Sequence, residues 1–595
     1  MDLDFFRHSI ESALAPLVPD GAVRGLVSEP PPPKVDRGGG SGKARRSSGQ
    51  RVKLADLSVP CFRLTRAFEG MKPPAIAVHL LTGLAGPPAG FSDVVANGPY
   101  LNFFYDPAVL AEKVLEGEIE PAADTGLTIL VEYSSPNIAK PFHIGHLRTT
   151  ILGECLARML EHQGHTVVRI NHLGDWGVQT GFQILAWRRW GRDAELERGG
   201  IRYLCDLYVR INAEAEDDPS LADQARALFR SLEEGDASVR EDWRRFVDIT
   251  LEELGRSYGR LGVGFDRYDG ESSYETMIPG VLEELDESGM LYESEGARVV
   301  DVEGLEEPCI LVKSDGATIY QTRDVAAALF RWKTWPGFSR CLYVVAANQE
   351  FHFRQVFGVF DRMRPDGAGR LRHVKFGMVR DAAGDIFSTR GGASARLDDI
   401  LDEARDRALD LVREKSGPLQ DEMAVAEAVG CAALAYEFLR RSPNRDLRFV
   451  FEEASRPDGD TGPYLQYTHA RCCSIINECG GMPAGPWDPS LLDGPEEVEV
   501  LKALLRLPSA VGRSADHGSD AYDTSTFTSA LMELARSFGS FYTASGDAGS
   551  GQRYRYPVRD AGPELRASRL RLVDSVRRAL AWGLHLLTIQ APERM

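Results

Sequence analysis

Two histidines, His143 and His146, flank Gly145 shortly after the chain leaves an apolar run. Imidazole rings can donate N–H groups to a phosphate that gains negative charge in a transition state. The glycine has no side chain, so a flat ring such as adenine can approach the backbone there. By itself the pattern indicates only a phosphate site at a helix start, because two histidines in a loop are more often structural than catalytic.

The elements around the histidines form a predicted βαβ unit. Residues 127–133 are a short, β-prone apolar run that predicts a buried strand, and residues 166–170 predict a second one. Between them, the periodic stretch 147–162 predicts a helix that begins after Gly145. A strand, a helix and a second strand predict a parallel sheet, and open α/β sheets bind ligands beyond the carboxyl ends of their strands. The helix N-terminus adds unpaired N–H groups that suit a phosphate.

A second pair of polar residues suits a guanidinium group. Tyr320 and Asp324 are four residues apart, so they share one face if this region is helical. A carboxylate beside a phenol can receive the planar array of donors that a guanidinium presents. A salt-bridged surface helix is the alternative, and the spacing alone favours that alternative.

The seventeen residues from Glu132 to Arg148 resemble the HIGH motif region of the class I aminoacyl-tRNA synthetases. The run Ser134–His143 resembles the arginyl enzymes in particular, as does His172–Gly181. The resemblance extends over nearly the whole chain. It implies an α/β fold: a Rossmann-like parallel-sheet catalytic domain with an N-terminal α+β domain and a C-terminal all-α anticodon-binding domain.

The resemblance also implies roles for individual residues. The guanidinium of the substrate arginine would be held by Glu132, Tyr320 and Asp324, and its amino-acid end would be oriented by Asn137 and Gln349. The residues that would bind ATP are Phe142, His143, Gly145, His146, Ser388 and Thr389. The residues that would act in catalysis are His143, His146, Ser388 and Arg390.

The loop that closes over ATP departs from the class I pattern. Class I enzymes carry a KMSKS-type loop, and the matching stretch here is 384–392, with Ile386 at the position of the first lysine and Thr389 at the second. Arginyl enzymes often depart from the lysine pattern, so Ser388 and Arg390 still fit, and Arg390 supplies a positive charge for the leaving group. An ordinary surface turn is the alternative, and a weakened activity is one consequence of the missing lysines.

The pattern along the chain predicts three domains. An N-terminal domain covers residues 1–122 and contains a flexible linker at about 28–50 that is rich in proline, glycine and basic residues. A catalytic domain covers 123–415, with a charged helical insertion at about 185–300. Residues 416–595 predict an all-α domain. The resemblance implies that the N-terminal domain binds the tRNA elbow and that the C-terminal domain binds the anticodon.

Two residues of the C-terminal domain are candidates for contacts with tRNA. Tyr542 offers a ring on which an unstacked base could stack, although core packing is the more common role of one aromatic residue in an α domain. The resemblance places the last residues, which end in Met595, near the anticodon. The linker carries seven basic residues between Lys34 and Lys53, which favours a solvated segment, with a tRNA-contacting arm as the alternative.

The composition narrows the class of protein. The chain has 595 residues, 43% of them hydrophobic, and a formal net charge of −19, which is typical of a multidomain globular protein. The acidic balance does not exclude RNA binding, because binding depends on local basic surface. The chain has no apolar run of 18 residues and no signal-peptide pattern, which predicts a cytoplasmic protein without a membrane span. The nine cysteines form no CxxC pair, which favours free thiols over metal sites or disulfides.

These features converge on one predicted reaction. The resemblance implies ATP-dependent ligation of L-arginine to tRNA(Arg) through an arginyl-adenylate, by a monomer that binds tRNA before it activates arginine. Mg²⁺ is expected to accompany ATP through its phosphates, and no structural metal is expected. Two alternatives share the fold: a paralogue that binds tRNA or regulates without ligase activity, and an enzyme that supplies activated arginine to specialised metabolism. The two histidines and the five arginine contacts favour the active ligase.

Overall fold

The computed structural model describes residues 3–19, 23–29, 55–140, 142–381, 383–385, 396–415, 421–483, 485–544 and 558–595. The chain divides into two units. The smaller unit is built from Met1–Ile119, Cys472–Pro508 and Glu533–Ala579, and the larger from Glu120–Arg471, Ser509–Met532 and Leu580–Met595. Most of the predicted linker, from residue 30 onwards, lies outside the described residues.

The N-terminal part of the smaller unit is an antiparallel sheet covered by helices. Its elements are α1 (Leu3–Leu14), β1 (Leu57–Pro60), α2 (Pro73–Gly83), β2 (Phe91–Asn97), β3 (Tyr100–Tyr105) and α3 (Pro107–Leu115). Strand β3 is central and pairs with both β1 and β2. Phe6 of α1 packs on this sheet, with its ring centroid 5.7 Å from that of Phe91 and 4.6 Å from that of Tyr105. This part therefore has the predicted α+β composition.

The larger unit contains most of the remaining elements. In chain order these are β4 (Thr128–Glu132), α4 (Ile144–His162), β5 (Thr166–Leu173), α5 (Val178–Trp190), α6 (Asp193–Asp217), α7 (Ser220–Glu234), α8 (Ala237–Leu261), β6 (Arg267–Gly270), α9 (Ile278–Glu287), β7 (Leu291–Ser294), β8 (Ala297–Val300), β9 (Cys309–Val312), α10 (Tyr320–Thr334), β10 (Arg340–Ala346), α11 (Glu350–Met363), β11 (Leu371–Phe376), β12 (Val379–Arg380), α12 (Leu397–Lys415), α13 (Glu422–Leu439), β13 (Leu447–Arg448), α14 (Phe451–Ala454) and α15 (Gly462–Glu478).

Five parallel strands form the central sheet, in the order β11-β10-β4-β5-β6. Strand β4 is buried on both faces over most of its length, which explains why its sequence is a nearly continuous apolar run. The strand order reverses between β4 and β10. Glu132 at the end of β4 is level with Tyr343 of β10 and with Ile170 of β5, so the carboxyl ends of the three strands lie along one edge. Ligands bind at such a reversal point in open α/β sheets.

Helix α4 follows β4 and packs on the sheet. It begins at Ile144, so the predicted start after Gly145 was slightly late, and His143 is the N-cap residue. The helix lies close to the strand end, because a Cβ atom added to Gly153 would meet the Tyr133 side chain at 2.2 Å. The predicted βαβ unit is therefore present, with the two histidines at its sheet edge.

The predicted helical insertion is mainly helical, but it also contains three strands. Helices α5 to α8 follow one another as far as Leu261, and α9 lies at Ile278–Glu287. Residues 267–270 form β6 of the central sheet, and β7 and β8 form a separate antiparallel sheet with β9. Strands β6 and β7 were not predicted, because half of the residues in each are exposed and charged and polar side chains hide the strand pattern.

The chain ends in a mainly helical region. Its further elements are α16 (Pro495–Ser514), β14 (Ala515–Asp516), β15 (Ala521–Tyr522), α17 (Ser525–Thr543) and α18 (Pro563–Leu586). The two-residue strands β14 and β15 pair antiparallel and interrupt an otherwise helical pattern. Across the described ranges, no helix combines the length and the apolar character that a bilayer crossing requires.

Candidate active site

A cavity of about 380 Å³ opens at the sheet edge where the strand order reverses. The loop after β4, the first turn of α4 and the ends of β10 and β11 line this cavity. Its lining includes Ser134, His143, Gly145, His146, Gln349 and Gly377. The volume lies in the range of small-ligand pockets, which is about 300–1,000 Å³. The lining combines apolar groups such as Val344 and Phe376 with polar ones such as His143 and His146, which suits an aromatic ring joined to a charged group.

The two histidines of the cavity are held by the backbone of their own helix. The Nδ1 atom of His143 accepts the N–H of Gly145 at 3.1 Å, and the Nδ1 atom of His146 accepts the N–H of His143 at 3.2 Å. The two histidine rings are tilted by 34° with centroids 3.9 Å apart, and the Phe142 ring stacks in parallel on His146 at 5.1 Å. A Cβ atom at residue 145 would come within 3.0 Å of the His143 ring, so glycine allows that ring to fold back.

This arrangement fixes the protonation of both rings. Burial lowers the pKa of His143, and burial together with the neighbouring His143 lowers the pKa of His146 well below its usual value. Both rings are therefore neutral near pH 7. Because each Nδ1 accepts a hydrogen bond, each neutral ring carries its proton on Nε2. The site thus presents two uncharged N–H donors beside the N-terminus of α4.

The loop between β4 and α4 has an unusual backbone. Ser134, Ser135 and Ala139 all have positive φ angles, of 74°, 47° and 48°, which side-chain-bearing residues adopt at a cost of about 1–3 kcal/mol each. Ser134 is held by its surroundings: its N–H donates to Thr149 at 3.3 Å, and its hydroxyl lies 2.7 Å from the hydroxyl of Tyr258. Packing from α4 and α8 therefore maintains the conformation of this loop.

Asn137 of the same loop lies against the chain after β5. Residues 137 and 174 form an isolated parallel β-bridge. A Cβ atom added to Gly174 would meet Oδ1 of Asn137 at 2.1 Å, so only glycine allows this approach. Gln179 donates to the same Oδ1 at 3.3 Å. The contact explains why a glycine follows His172 and Leu173 in the sequence.

Glu132, predicted to bind a guanidinium, is already paired with an arginine of the chain. It is 5% exposed and forms an ion pair with Arg331 of α10, which is fully buried. Burial lowers the pKa of Arg331, but Glu132 and Tyr343 more than offset this, so the group stays charged. Glu132 is therefore a structural counter-ion as well as a candidate ligand, and the sequence did not reveal this second role.

Asp324 is the other predicted guanidinium ligand, and it faces two histidines. Nε2 of His352 lies 2.5 Å from Oδ2 of Asp324, and Nε2 of His172 lies 3.9 Å from Oδ1. Burial raises the pKa of Asp324, but His352, His172 and Arg331 outweigh burial and leave its pKa below the usual value. Tyr320 is on the same helix, as predicted, but its side chain is 65% exposed and lies over Arg323.

A third carboxylate, Glu271, lies in the same cluster. It follows β6 in a 3-10 turn, and its nearest cation is Arg323, at 3.7 Å. Burial is the main cause that raises the pKa of Glu271 to about 7, since His172 and Arg323 offset it only in part. The cluster therefore contains carboxylates of very different acidity.

Three predicted residues of the nucleotide loop, Ser388, Thr389 and Arg390, lie outside the described residues. The two predicted tRNA contacts are described. The ring of Tyr542 stacks on Phe538, with centroids 6.4 Å apart. Met595 packs beside a small apolar cluster that includes Ala408, Ala426 and Val429.

The sequence interpretation missed two partners of the predicted carboxylates. Arg331 is seven residues after Asp324, which is two helical turns, so the helical period places both on one face. His352 follows Gln349 by three residues, but it lies on another helix than Asp324, and no periodicity predicts a contact between two helices. No disulfide joins any of the cysteines in the part of the chain that the structure describes. Within the described ranges, no cluster of three or more histidine, cysteine, aspartate or glutamate side chains is arranged to hold a metal ion.

Comparison with known proteins connects this geometry to a family. Residues 107–452 match the family model described as tRNA synthetases class I (R), catalytic domain, and residues 465–595 match the DALR anticodon binding domain. The chain is 39% identical over 554 residues to the arginine–tRNA ligase of Clostridium beijerinckii, and 38% identical over 555 residues to that of Clostridium perfringens. Each alignment covers 92% of this chain and 95% of the relative.

Solved structures agree with these matches. The arginyl-tRNA synthetase of Thermus thermophilus superimposes with a TM-score of 0.80 and 27% identity, covering 100% of both chains. The enzyme from Plasmodium falciparum superimposes with a TM-score of 0.74 over 100% of this chain and 98% of its own, and at 20% identity this shows a shared fold. The predicted resemblance and fold class are confirmed: the chain belongs to the arginyl-tRNA synthetase family of the class I synthetases.

Proposed function

We propose that this protein ligates L-arginine to tRNA(Arg) at the expense of ATP, through an arginyl-adenylate. The observation that carries the proposal is the juxtaposition at one sheet edge: a nucleotide-sized cavity with two neutral histidine donors adjoins a buried carboxylate cluster. The similarity to arginine–tRNA ligases over 92% of the chain supports the same reaction. Neither region alone distinguishes this activity from other nucleotide-dependent chemistry.

In the first step the arginine carboxylate attacks the α-phosphate of ATP and pyrophosphate leaves. His143 and His146 present Nε2–H donors to the phosphates, where negative charge develops. Because neither ring is charged, each stabilises the transition state through a hydrogen bond. Pyrophosphate can then leave without breaking an ion pair with either histidine. Gln349, at the end of a 3-10 turn after β10, and Asn137 are proposed to orient the amino-acid end. Catalysis is then positioning and charge stabilisation without a covalent enzyme intermediate.

Within the nucleotide site, the proposed ATP contacts are Phe142, His143, Gly145, His146, Ser388 and Thr389. Ser388 and Arg390 are proposed to act on the pyrophosphate leaving group from the loop after β12. The Phe142 ring stacks on His146 and thereby fixes the plane of the imidazole that faces the nucleotide.

In the second step the terminal ribose hydroxyl of tRNA attacks the carbonyl carbon of the mixed anhydride, the bond from that carbon to the phosphate oxygen breaks, and AMP leaves. The match of residues 465–595 to an anticodon-binding domain supports tRNA as the partner. The division into an elbow-binding domain at 1–122, a catalytic domain at 123–415 and an anticodon-binding domain at 416–595 is part of this proposal. Tyr542 and Met595 are the proposed tRNA contacts, although both also pack against neighbouring side chains.

Selection of arginine is proposed to depend on Asp324 and Glu132, with Tyr320 closing on the bound side chain. Lysine offers a point charge without a planar fork, so it leaves carboxylate acceptors unpaired. Each buried acceptor left without a partner costs about 1–3 kcal/mol. Because the charge of Glu132 is already paired with Arg331, Asp324 is the main carboxylate proposed to receive the substrate guanidinium.

Three further features belong to the proposal. Mg²⁺ arrives with ATP as part of the substrate, held mainly by phosphate oxygens. The protein acts as a monomer, which light scattering of the purified chain would test. It works in the cytoplasm, which the lack of disulfides among the described cysteines supports, because a reducing compartment disfavours disulfides.

The test is a charging assay with purified protein, ATP, labelled L-arginine and tRNA(Arg), scored as labelled tRNA. Lysine and citrulline serve as competing substrates. We expect arginyl-tRNA to form, and we expect arginine-dependent pyrophosphate exchange only when tRNA is present. Tight tRNA binding without any charged product at micromolar enzyme would contradict the ligase and favour a tRNA-binding paralogue. Charging of lysine or citrulline in preference to arginine would contradict the substrate assignment.

A further inference from the structure

His352 makes the closest polar contact of Asp324. The two groups lie on different helices, α11 and α10, with Nε2 and Oδ2 only 2.5 Å apart. Asp324 is 25% exposed and His352 is 18% exposed at the side chain, so protons from solvent reach both. The contact leaves Oδ1 of Asp324 directed towards His172, at 3.9 Å.

The contact has different consequences in the two protonation states of His352. A neutral ring with its proton on Nε2 donates to Oδ2, fixes the carboxylate and leaves its negative charge unbalanced. A protonated ring makes the same contact as an ion pair, and the pair is then neutral overall. A guanidinium that approaches Oδ1 is attracted strongly in the first state. In the second state the guanidinium approaches a pair without net charge, and the positive ring of His352 lies beside it.

The remaining charged groups around this pair largely balance one another. They come from every element that packs against it: Glu132 on β4, His172 on β5, Glu271 in the turn after β6, Arg323 and Arg331 on α10, and His373 on β11. Glu132 and Arg331 form a buried ion pair, and Arg323 faces Glu271. Asp324 therefore supplies the negative charge that remains for a bound cation, and His352 controls that charge.

We propose that His352 is a positioning residue that orients Asp324 for the substrate guanidinium and weakens arginine binding when it takes up a proton. The proposal rests on the proposed function, because it assigns arginine to this carboxylate cluster. It predicts an effect on the KM for arginine that is larger than any effect on kcat, since His352 does not touch the reacting atoms. A purely structural histidine would change stability without changing the pH profile of KM.

The experiment measures KM for arginine, KM for ATP and kcat in the charging assay from about pH 5.5 to 8.5. It compares the wild type with His352→Gln, which keeps an N–H donor at this position but does not titrate. His8→Gln, at an exposed histidine of α1, is the matched control. We expect the KM for arginine of the wild type and of the control to rise severalfold from the alkaline to the acidic end of this range, because a protonated His352 cancels the charge of Asp324. The profile of His352→Gln should be much flatter, and its remaining slope is expected from Glu271, whose pKa burial raises to about 7.

A second measurement follows the protons directly. Arginine binding to the wild-type complex with tRNA should release protons at the acidic end of this range, and binding to the His352→Gln complex should release fewer, measured by calorimetry in two buffers of different ionisation enthalpy. An unchanged pH profile in His352→Gln, or no proton release in the wild type, would overturn the inference while leaving the ligase assignment intact. Absence of arginine charging by the wild type at pH 8 would instead overturn the proposed function, and the inference with it.

Discussion

The two sides of the proposed active site each contain a pair of histidines, but the pairs have opposite surroundings. On the nucleotide side, His143 and His146 contact the backbone and each other, and burial keeps both rings neutral. On the arginine side, His172 and His352 face the carboxylate of Asp324. The same residue type therefore supplies neutral donors beside a helix N-terminus in one place and contacts to a carboxylate in the other.

Burial and a neighbouring charge determine which of these two roles a histidine has. Taking an imidazole out of water without an anion favours the neutral ring, whereas a carboxylate beside it favours the charged ring. A neutral donor suits phosphate, which must bind and then leave as pyrophosphate. A carboxylate contacted by histidines suits a cationic substrate, because the binding of that substrate depends on the charge of the pocket. Substitutions on the nucleotide side should therefore impair the chemical step, whereas substitutions on the arginine side should impair the use of arginine.

The largest effect is expected at His143. In His143→Ala the transition state loses one phosphate donor, so kcat should fall by about 10²–10³ while tRNA affinity stays nearly unchanged. The substitution also removes the N-cap of α4, which costs about 1 kcal/mol. His143→Asn is the matched variant, because asparagine restores the cap without restoring the imidazole. Single-turnover charging and thermal unfolding of both variants separate the two losses. If His143→Asn recovers the full wild-type rate, the histidine acts only as a cap.

The next largest effect is expected at Asp324, on the other side of the comparison. Asp324→Asn removes the charge that receives the guanidinium, which should lower kcat/KM for arginine by about 2–3 kcal/mol, or roughly 30- to 150-fold. The KM for ATP should stay within about twofold of the wild type. Asp366→Asn, at an exposed aspartate, controls for the chemical change. If kcat/KM fell equally for arginine and for ATP, the substitution would have disrupted the whole site. The distinction between the two sides would then be lost.

A smaller effect is expected at Tyr258, which contacts the loop between β4 and α4 on the nucleotide side. Its hydroxyl lies 2.7 Å from that of Ser134 and accepts from Asn171 at 2.9 Å. Tyr258→Phe leaves these buried groups with one partner fewer and should lower the free energy of unfolding by about 1–3 kcal/mol. Tyr292→Phe removes an exposed hydroxyl contact with Asp301 and should cause no measurable change in denaturant unfolding. Equal stability of the two variants would show that Tyr258 does not maintain the strained loop.

The smallest effect concerns Glu271, and it appears as a pH dependence of stability. Because folding raises the pKa of Glu271 from its ordinary value of about 4.5 to about 7, its contribution to stability is complete below about pH 4.5 and is lost as pH rises through 7. Relative to Glu271→Gln, the wild type should lose about 1 kcal/mol between pH 6 and 8. Chemical denaturation at both pH values measures this difference. A difference of the opposite sign would mean that Arg323 and His172 hold Glu271 ionised.

The sequence was sufficient for the centre of the fold. The apolar runs at 127–133 and 166–170 and the periodic stretch at 147–162 predicted β4, β5 and α4 within a few residues, because a buried parallel strand and an amphipathic helix leave clear patterns. The location of the cavity followed from the same βαβ unit. The strands within the mainly helical insertion were missed, since the half-exposed strands β6 and β7 carry charged residues at positions where a buried strand would be apolar.

The candidate site was predicted as a set of residues but not as a set of contacts. Glu132 and Asp324 were identified by their resemblance to family positions, whereas Arg331 and His352 were not, because their roles depend on how α10 and α11 pack. The positive φ angles at Ser134 and Ser135 were equally hidden, since serine in a loop carries no signal of a strained backbone. Local pattern therefore predicted the ligand-binding edge, and tertiary packing determines the charge of each group on it.

The most direct test compares arginine with citrulline, its neutral analogue of nearly equal shape, in the charging reaction of the wild-type protein. If the carboxylate cluster around Asp324 reads the charge and donors of the guanidinium, kcat/KM for arginine should exceed that for citrulline by about 10³-fold or more at pH 8. Similar values of kcat/KM for the two substrates would contradict the assignment of this cluster to arginine recognition.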